Sequence, residues 1–367
     1  MKNVLFLTLK TFSFTGGIER ACRTLIHALY LIKGNNISIW SMYDHQSDLD
    51  ERYCNQVLFK GFASKKFSFS FTVIKNAFKF DQIILSHINL LVFGFLIKKL
   101  KPSAEIILWA HGVEVWRPLS SWKKKFLQQN ATLWAVSNYT KEQLMRLHNI
   151  PLSSIKILNH SVDPFYYIPS HLEKPVHLLN KWKLNVSSYV FFTLTRLSST
   201  EHDKHYDSVI RAISRLKKEH SDIMYFIGGR YSNDEYLRLT TLIKQYNVQN
   251  NVKLLGFIPE NEITAHYLLA NCFVLPSKKE GFGIVFTEAA ISGCQIIGGN
   301  ADGSTDALIN GKLGQLVNPE DEHEIYQAMY HAIQQNNHQP TEQQKLALQY
   351  FSFEVFKENT QRLLNAS

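Results

Sequence analysis

Short apolar runs alternate with stretches of helical periodicity along nearly the whole chain. Residues 3–9 predict a strand, a Gly-containing turn follows, and a helical pattern covers 18–32. Further apolar runs at 37–42, 83–86, 106–110, 133–136 and 155–158 continue the alternation, with helical segments between them. Residues 164–187, rich in proline, aromatic and polar positions, predict a connection. A second series then begins: strand 189–194, helix 205–218, strand 223–227, helix 234–245, strand 252–255 and helix 260–269. Strands at 272–275 and 294–297 and helices at 320–334 and 353–364 complete it. Strands alternating with helices imply parallel sheets covered on both faces, and 367 residues exceed what one hydrophobic core usually holds. The expected fold is therefore α/β, with two Rossmann-like doubly wound domains, 1–165 and 175–345. A terminal segment, 346–367, is expected to return its helix to the first domain.

Composition narrows the class. Apolar and charged fractions of 45% and 19% are those of an ordinary globular protein. The N-terminus lacks a small-residue cleavage site and reads as a first strand, and the most apolar stretch, 83–97, includes His87 and Asn89 and is shorter than the ~20 residues a bilayer needs. Cys22, Cys54, Cys272 and Cys294 form neither a CxxC pair nor a metal-ligand spacing, and read as reduced buried thiols of a cytoplasmic protein. No GxGxxG follows the first strand, which argues against a dinucleotide fingerprint.

The chemistry concentrates in residues 271–293, NCFVLPSKKEGFGIVFTEAAISG: an apolar run stopped by Pro276, a polar turn, and a helix resuming near Gly283. In open α/β folds ligands sit beyond the carboxyl ends of the strands, where a helix N-terminus offers free N–H groups to an anion. Two carboxylates, Glu280 in the loop and Glu288 on the helix, would repel a phosphate but suit hydroxyl recognition. Taken singly, Glu280 reads as a solvated loop residue and Glu288 as an exposed helix residue. Taken together, Pro276-Ser277, Glu280-Gly281-Phe282-Gly283 with Ile284, and Glu288 after seven intervening residues resemble the donor-site signature of the retaining GT-B glycosyltransferases, specifically glycosyltransferase family 4.

The resemblance extends from residue 4 to about 320. Thr195-Arg196-Leu197 and Lys204 are similar to the family's Arg and Lys pair that holds the donor diphosphate, except that His205 stands where a Gly usually follows. Fixed cations there would stabilise a leaving nucleoside diphosphate as the glycosidic bond breaks. Gly256-Phe257-Ile258 resembles the segment whose backbone reads the nucleotide base, and Asp302-Gly303-Ser304 reads first as a structural turn. In the first half, Gly16 and Gly17 resemble the glycine loop that faces the donor phosphate across the cleft. Glu19 reads more simply as a partner of the helix dipole. His111, ending a predicted strand, resembles the family's His near the transferred sugar, and Asn159 with Val162-Asp163 resemble further landmarks.

What the resemblance implies is a two-domain GT-B enzyme moving a hexose-type sugar, with retention, from a UDP- or GDP-sugar to a glycan or lipid-linked acceptor hydroxyl in cell-surface polysaccharide synthesis. It implies no cofactor and no metal, Arg196 and Lys204 supplying the charge. Charge adds a location. Residues 1–165 hold 21 Lys+Arg against 10 Asp+Glu, leaving 19 against 21 for the rest, so the halves carry +11 and −2. Lys60, Lys65, Lys66, Lys75 and Lys79 lie among seven Phe over 59–80, and Lys123, Lys124 and Lys125 follow Trp122. An ordinary solvated face is one reading. Mixed Lys and aromatics on one domain also suit an anionic membrane surface, more than nucleic acid, for which no motif accompanies the charge. The expected place is the cytoplasmic face of the membrane, peripherally bound. The alternatives are a nucleotide-sugar epimerase of the same fold and a non-catalytic nucleotide-sugar-binding membrane adaptor.

Overall fold

The computed structural model describes residues 2–199, 201–335 and 338–366. The chain divides into two compact units, Met1–Phe165 with Phe351–Ser367, and Tyr166–Tyr350.

The first unit contains β1 (Val4–Thr8), α1 (Gly17–Lys33), β2 (Ile37–Ser41), β3 (Phe59–Gly61), α2 (Lys66–Lys75), β4 (Gln82–Leu85), α3 (Leu91–Leu100), β5 (Glu105–Ala110), α4 (Val113–Trp116), α5 (Ser121–Asn130), β6 (Ala131–Ala135), α6 (Asn138–His148) and β7 (Ile155–Ile157). Its seven strands are all parallel, in the order β3-β2-β1-β4-β5-β6-β7. Helices cover both faces of such a sheet, so β1 and β4 are buried along their whole length. The core on one side joins Leu5, Ile83, Ile106 and Leu133 from the strands to Phe69, Leu91 and Ile97 from the helices.

The second unit contains α7 (Val176–Trp182), β8 (Tyr189–Leu194), α8 (Tyr206–Leu216), β9 (Ile223–Gly228), α9 (Asn233–Gln245), β10 (Val252–Gly256), α10 (Glu260–Leu269), β11 (Cys272–Leu275), α11 (Ile284–Ile291), β12 (Gln295–Gly299), α12 (Ser304–Ala307), β13 (Gln315–Val317) and α13 (Glu322–Gln334). Its six parallel strands run β10-β9-β8-β11-β12-β13. Helix α14 (Pro340–Phe351) carries the chain across the division, and α15 (Phe353–Asn365) packs on α1 in the first unit.

Both sheets reverse direction beside their first strand, between β1 and β4 and between β8 and β11. At such a point two neighbouring loops diverge to opposite faces of the sheet, opening a crevice at the strands' carboxyl ends. The loops after β8 and β11 carry Arg196 and Glu280, and those after β1 and β5 carry Gly16 and His111.

Several elements differ from the pattern in the sequence. The strand expected at 83–86 is β4, and only the remainder of the apolar stretch 83–97 differs, leading into α3. Among the described residues no helix is long and apolar enough to cross a membrane. Part of the segment assigned to the connection forms α7 within the second unit, and α14 runs through residues 345 and 346, where the second domain was expected to end. Strands β3 and β13 are three-residue edges, too short to show a period of two. The four cysteines are free and buried, and burial pushes the Cys54 thiol up to about 12.

Candidate functional site

In the second unit the site is built on the loops at the β8/β11 reversal. The pairing of β8 with β9 continues past Leu194 through Thr195 N–H to the Gly228 carbonyl (3.0 Å) and Leu197 N–H to the Arg230 carbonyl (2.9 Å). Arg196 therefore projects from an extended backbone. Its side chain is 74% exposed, with Nε 3.9 Å from Glu201 Oε1. A short helical turn, His202–Lys204, then brings Lys204 under the loops, where it is 8% exposed. His205 adopts the left-handed conformation, φ 53°, before α8 starts. That conformation explains why glycine suits the position: a side chain there carries strain on the order of 1 kcal/mol.

Lys204 and Glu280, far apart in sequence, meet: Nζ stands 2.5 Å from Glu280 Oε1 and 4.0 Å from Glu201 Oε2. Burial alone would lower the Lys204 pKa, but the Glu280 carboxylate and its hydrogen bond hold it above the usual lysine value. Glu280 is thus not a solvated loop residue. The loop is tied to the Lys204 turn through Lys278 N–H to the Asp203 carbonyl (2.9 Å) and Lys279 Nζ to Asp203 Oδ2 (3.2 Å).

Asp302 holds the other side of Glu280. Its Oδ2 accepts the Glu280 N–H (2.5 Å), its Oδ1 accepts the Ser304 N–H (2.9 Å), and the Gly303 N–H donates to the Glu280 carbonyl (2.8 Å). A Cβ at Gly303 would collide with the Gly281 carbonyl, so only glycine permits this clamp. Burial, then the charge of Glu280, raises the Asp302 carboxyl to about 6. A carboxyl raised on folding stabilises the fold fully below its unfolded pKa, near 4, and that contribution is lost as pH rises through 6. Asp302→Asn should therefore flatten the pH dependence of unfolding between pH 4 and 7 by up to about 3 kcal/mol, read from denaturant titrations of both proteins.

Helix α11 follows Gly283, φ 92°, which caps it without a side-chain hydrogen bond, and the Phe286 N–H turns back to the Gly283 carbonyl (3.0 Å). Glu288 on this helix is fully buried, Tyr267 donating its OH to Glu288 Oε2 (3.3 Å), so it is not an exposed helix residue. Phe282 and Ile284 pack inward, while Gly281 and Gly283 are half-buried. At the end of β10, Gly256 has φ 72°, Phe257 is exposed beneath the Arg230 guanidinium (4.5 Å to the ring centroid), and Ile258 is buried.

In the first unit, Gly16 precedes α1 in an extended conformation and Gly17 begins the helix, with Glu19 in the first turn as the dipole reading requires. What fixes this loop is Asp44, fully buried. It accepts hydrogen bonds from the N–H groups of Thr11 (2.8 Å) and Ser13 (3.0 Å) and from the hydroxyls of Ser13 (2.5 Å) and Ser41 (2.6 Å). His111 follows β5 and is 6% exposed, its N–H donating to Glu114 Oε1 (2.6 Å). Nothing in the sequence singles out Asp44 or the clamping role of Asp302, because a single Asp beside a turn is common. The DGS turn was the one visible signal.

The comparisons with known proteins bear on this geometry. Residues 178–346 match the family of glycosyl transferases group 1. That region spans nearly all of the second unit and includes Arg196, Lys204, Glu280, Glu288 and Asp302. A 2-deoxystreptamine N-acetyl-D-glucosaminyltransferase of Niallia circulans is 30% identical over 129 residues, 35% of this chain and 33% of that protein. A GDP-mannose-dependent alpha-(1-6)-phosphatidylinositol monomannoside mannosyltransferase of Mycobacterium tuberculosis (strain CDC 1551 / Oshkosh) is 26% identical over 189 residues, 50% of this chain and 47% of that protein. The chain thus spans a third to about half the length of these curated relatives. Across all of both chains, the crystal structure of Anabaena Alr3699/HepE in complex with UDP superposes with a TM-score of 0.80 at 18% identity. The fold is GT-B.

Proposed function

We propose that the protein is a retaining glycosyltransferase that moves a hexose-type sugar from a nucleotide-sugar to an acceptor hydroxyl. The observation that carries the reading is the Lys204–Glu280 pair, assembled at the β8/β11 reversal inside the segment that matches glycosyl transferases group 1. Arg196, exposed, and Lys204 would hold the diphosphate and stabilise the charge that develops as it leaves, and the N-terminus of α11 would add N–H groups to an oxygen of the same group. The backbone at Gly256, Phe257 and Ile258 would read the base, Glu280 the sugar hydroxyls and Glu288 the ribose. His111 would meet a hydroxyl of the sugar or acceptor. The departing phosphate takes the acceptor proton on the same face, so no enzyme nucleophile or general base is assigned. Arg196 and Lys204 would supply the charge that a metal otherwise provides, and the reading is metal-independent: transfer should survive chelation by EDTA.

The donor is a UDP- or GDP-sugar: one structural neighbour is described in complex with UDP, and one relative as GDP-mannose-dependent. The acceptor we place on a glycan or lipid-linked carrier of cell-surface polysaccharide, at the cytoplasmic membrane face. Support comes from α2. Its buried face carries Phe69 and Val73, whereas Phe67, Phe71 and Ile74, spaced by four and three, form an outward stripe that continues to Phe78. Phe67 is 95% exposed. Lys75 lies over the Phe71 ring, and α3, which packs on α2, leads to α5 with half-exposed Trp122 against Phe95. Of the seven Phe in 59–80, Phe59, Phe62, Phe69 and Phe80 belong to the core, so the membrane-facing set is smaller than the sequence suggested.

The roles of the two glutamates can be separated. Glu288→Gln should weaken binding of the bare nucleoside diphosphate by about tenfold, the loss of one charge-assisted hydrogen bond, while Glu280→Gln should leave that binding nearly intact and impair transfer. Titration calorimetry with UDP and GDP reads the first effect. Equal losses in both variants would refute the division.

A further inference from the structure

Two buried histidines outside the assigned donor contacts lie ring to ring in the first unit. His111 follows β5 and His160 follows β7, with β6 between them, and the two rings close over its carboxyl end: His111 Nδ1 is 3.1 Å from His160 Nε2. They are 6% and 7% exposed. The Trp109 ring flanks both, at 4.5 Å from His111 and 5.5 Å from His160, and Phe356 of α15 backs it at 6.1 Å. His160 sits between Asn159 and Val162-Asp163.

Neither ring is charged at neutral pH. Burial depresses His160 to about 3, and burial together with the neighbouring His160 and His87 takes His111 well below its usual value. Two neutral imidazoles joined nitrogen to nitrogen share one proton, and that constrains both tautomers. If His160 donates, His111 carries its own proton on Nε2; if His111 donates, its Nε2 offers a lone pair. The far nitrogen matters because His111 Nε2 is buried without a hydrogen bond of normal geometry among the described residues, although the Ser86 backbone lies close enough to favour the protonated ring. A ligand hydroxyl, able to donate or accept, suits that nitrogen in either tautomer.

We propose that His160 is a positioning residue for His111: the ring-to-ring hydrogen bond fixes the His111 imidazole in one orientation and one tautomer, so that Nε2 meets a hydroxyl of the sugar or acceptor. Only the identity of that hydroxyl rests on the glycosyltransferase reading. The Glu114 carboxylate holds the His111 backbone through its N–H, and His160 is the side-chain partner of the ring, beside the Ser86 backbone.

The test uses the full chain with 15N-labelled histidine and two-bond 1H–15N spectra, the His111 signals being assigned by their loss in His111→Gln. The wild type should show His111 as a single neutral tautomer. His160→Phe keeps the ring volume and removes the hydrogen bond, and should convert that signal to a mixture or to the other tautomer. His160→Gln, which can still donate or accept, should preserve it. In a transfer assay His160→Phe should lower kcat by about 10- to 100-fold with the donor KM within about twofold, and His160→Gln should recover most of the loss. An unchanged His111 tautomer in His160→Phe would overturn the proposal and leave the pair as packing. A shifted tautomer with unchanged kcat would overturn the link to a hydroxyl. Absence of sugar transfer by the wild type would instead strike the functional reading, and the spectra would still decide the role of His160.

Discussion

Lys204→Ala should lower the turnover of sugar transfer by about two to three orders of magnitude, the usual effect of removing one preorganised electrostatic group. The structure distinguishes this residue from Arg196, its partner in the assigned diphosphate contact. Lys204 is buried, raised in pKa and 2.5 Å from Glu280, whereas Arg196 is largely exposed. Removing the lysine therefore also leaves Glu280 without its cation, and stability should fall by about 3 kcal/mol, at the low end for a broken buried pair because Glu280 keeps partial solvent access. Arg196→Ala should impair turnover with little effect on stability. Steady-state kinetics combined with urea unfolding separates the two. Equal turnover in Lys204→Ala and wild type would remove the diphosphate assignment.

The proposed membrane surface carries the second large expected effect. Changing Lys65, Lys66, Lys75 and Lys79 together to Glu should reduce sedimentation with anionic liposomes by about a thousandfold or more in partition coefficient, since each basic side chain near such a surface contributes ~1 kcal/mol. Phe67→Ser with Phe71→Ser should weaken binding at the same charge, because these rings are exposed and free to enter the headgroup boundary. Salt should release the wild type, as screening shortens the reach of the lysines. Equal binding to neutral and anionic vesicles, or none to either, would move the acceptor toward a soluble glycan or protein.

Much of this was legible in residue patterns, and the reasons are local. Strands such as β8 and β11 are buried on both faces, so they read as continuous apolar runs bounded by breakers, and their positions in the sequence and in the fold agree. The loop from Pro276 to Gly283 was visible because a breaker, two glycines and a carboxylate fall within one short turn. Edge strand β3 lies inside the Lys and Phe segment as Phe59-Lys60-Gly61, three residues with one buried side chain, too few to show a period. Which Phe of that segment face outward depends on the packing of α2 against the core, and neighbouring residues do not encode it. The same holds within the site. That Lys204 meets Glu280, that Asp302 clamps the Glu280 backbone, and that His111 meets His160 are contacts between residues 76, 22 and 49 positions apart, made only when the strands assemble. His205 is a case between the two: its departure from the family pattern was plain in the sequence, but its left-handed backbone was not.

We propose that the second unit binds a nucleotide-sugar through Lys204 and its neighbours. Thermal unfolding of the full chain in the presence of a panel of UDP- and GDP-linked sugars tests it most directly. A ligand at one hundred times its Kd adds about 2.7 kcal/mol to stability, so the sugars of one nucleotide series should raise the unfolding midpoint of the second unit by about 5–10 °C. The same sugars should leave Lys204→Ala and Arg196→Ala nearly unmoved. No shift with any sugar of either series, or an equal shift in wild type and both variants, would mean that Lys204 and Arg196 hold no nucleotide-sugar.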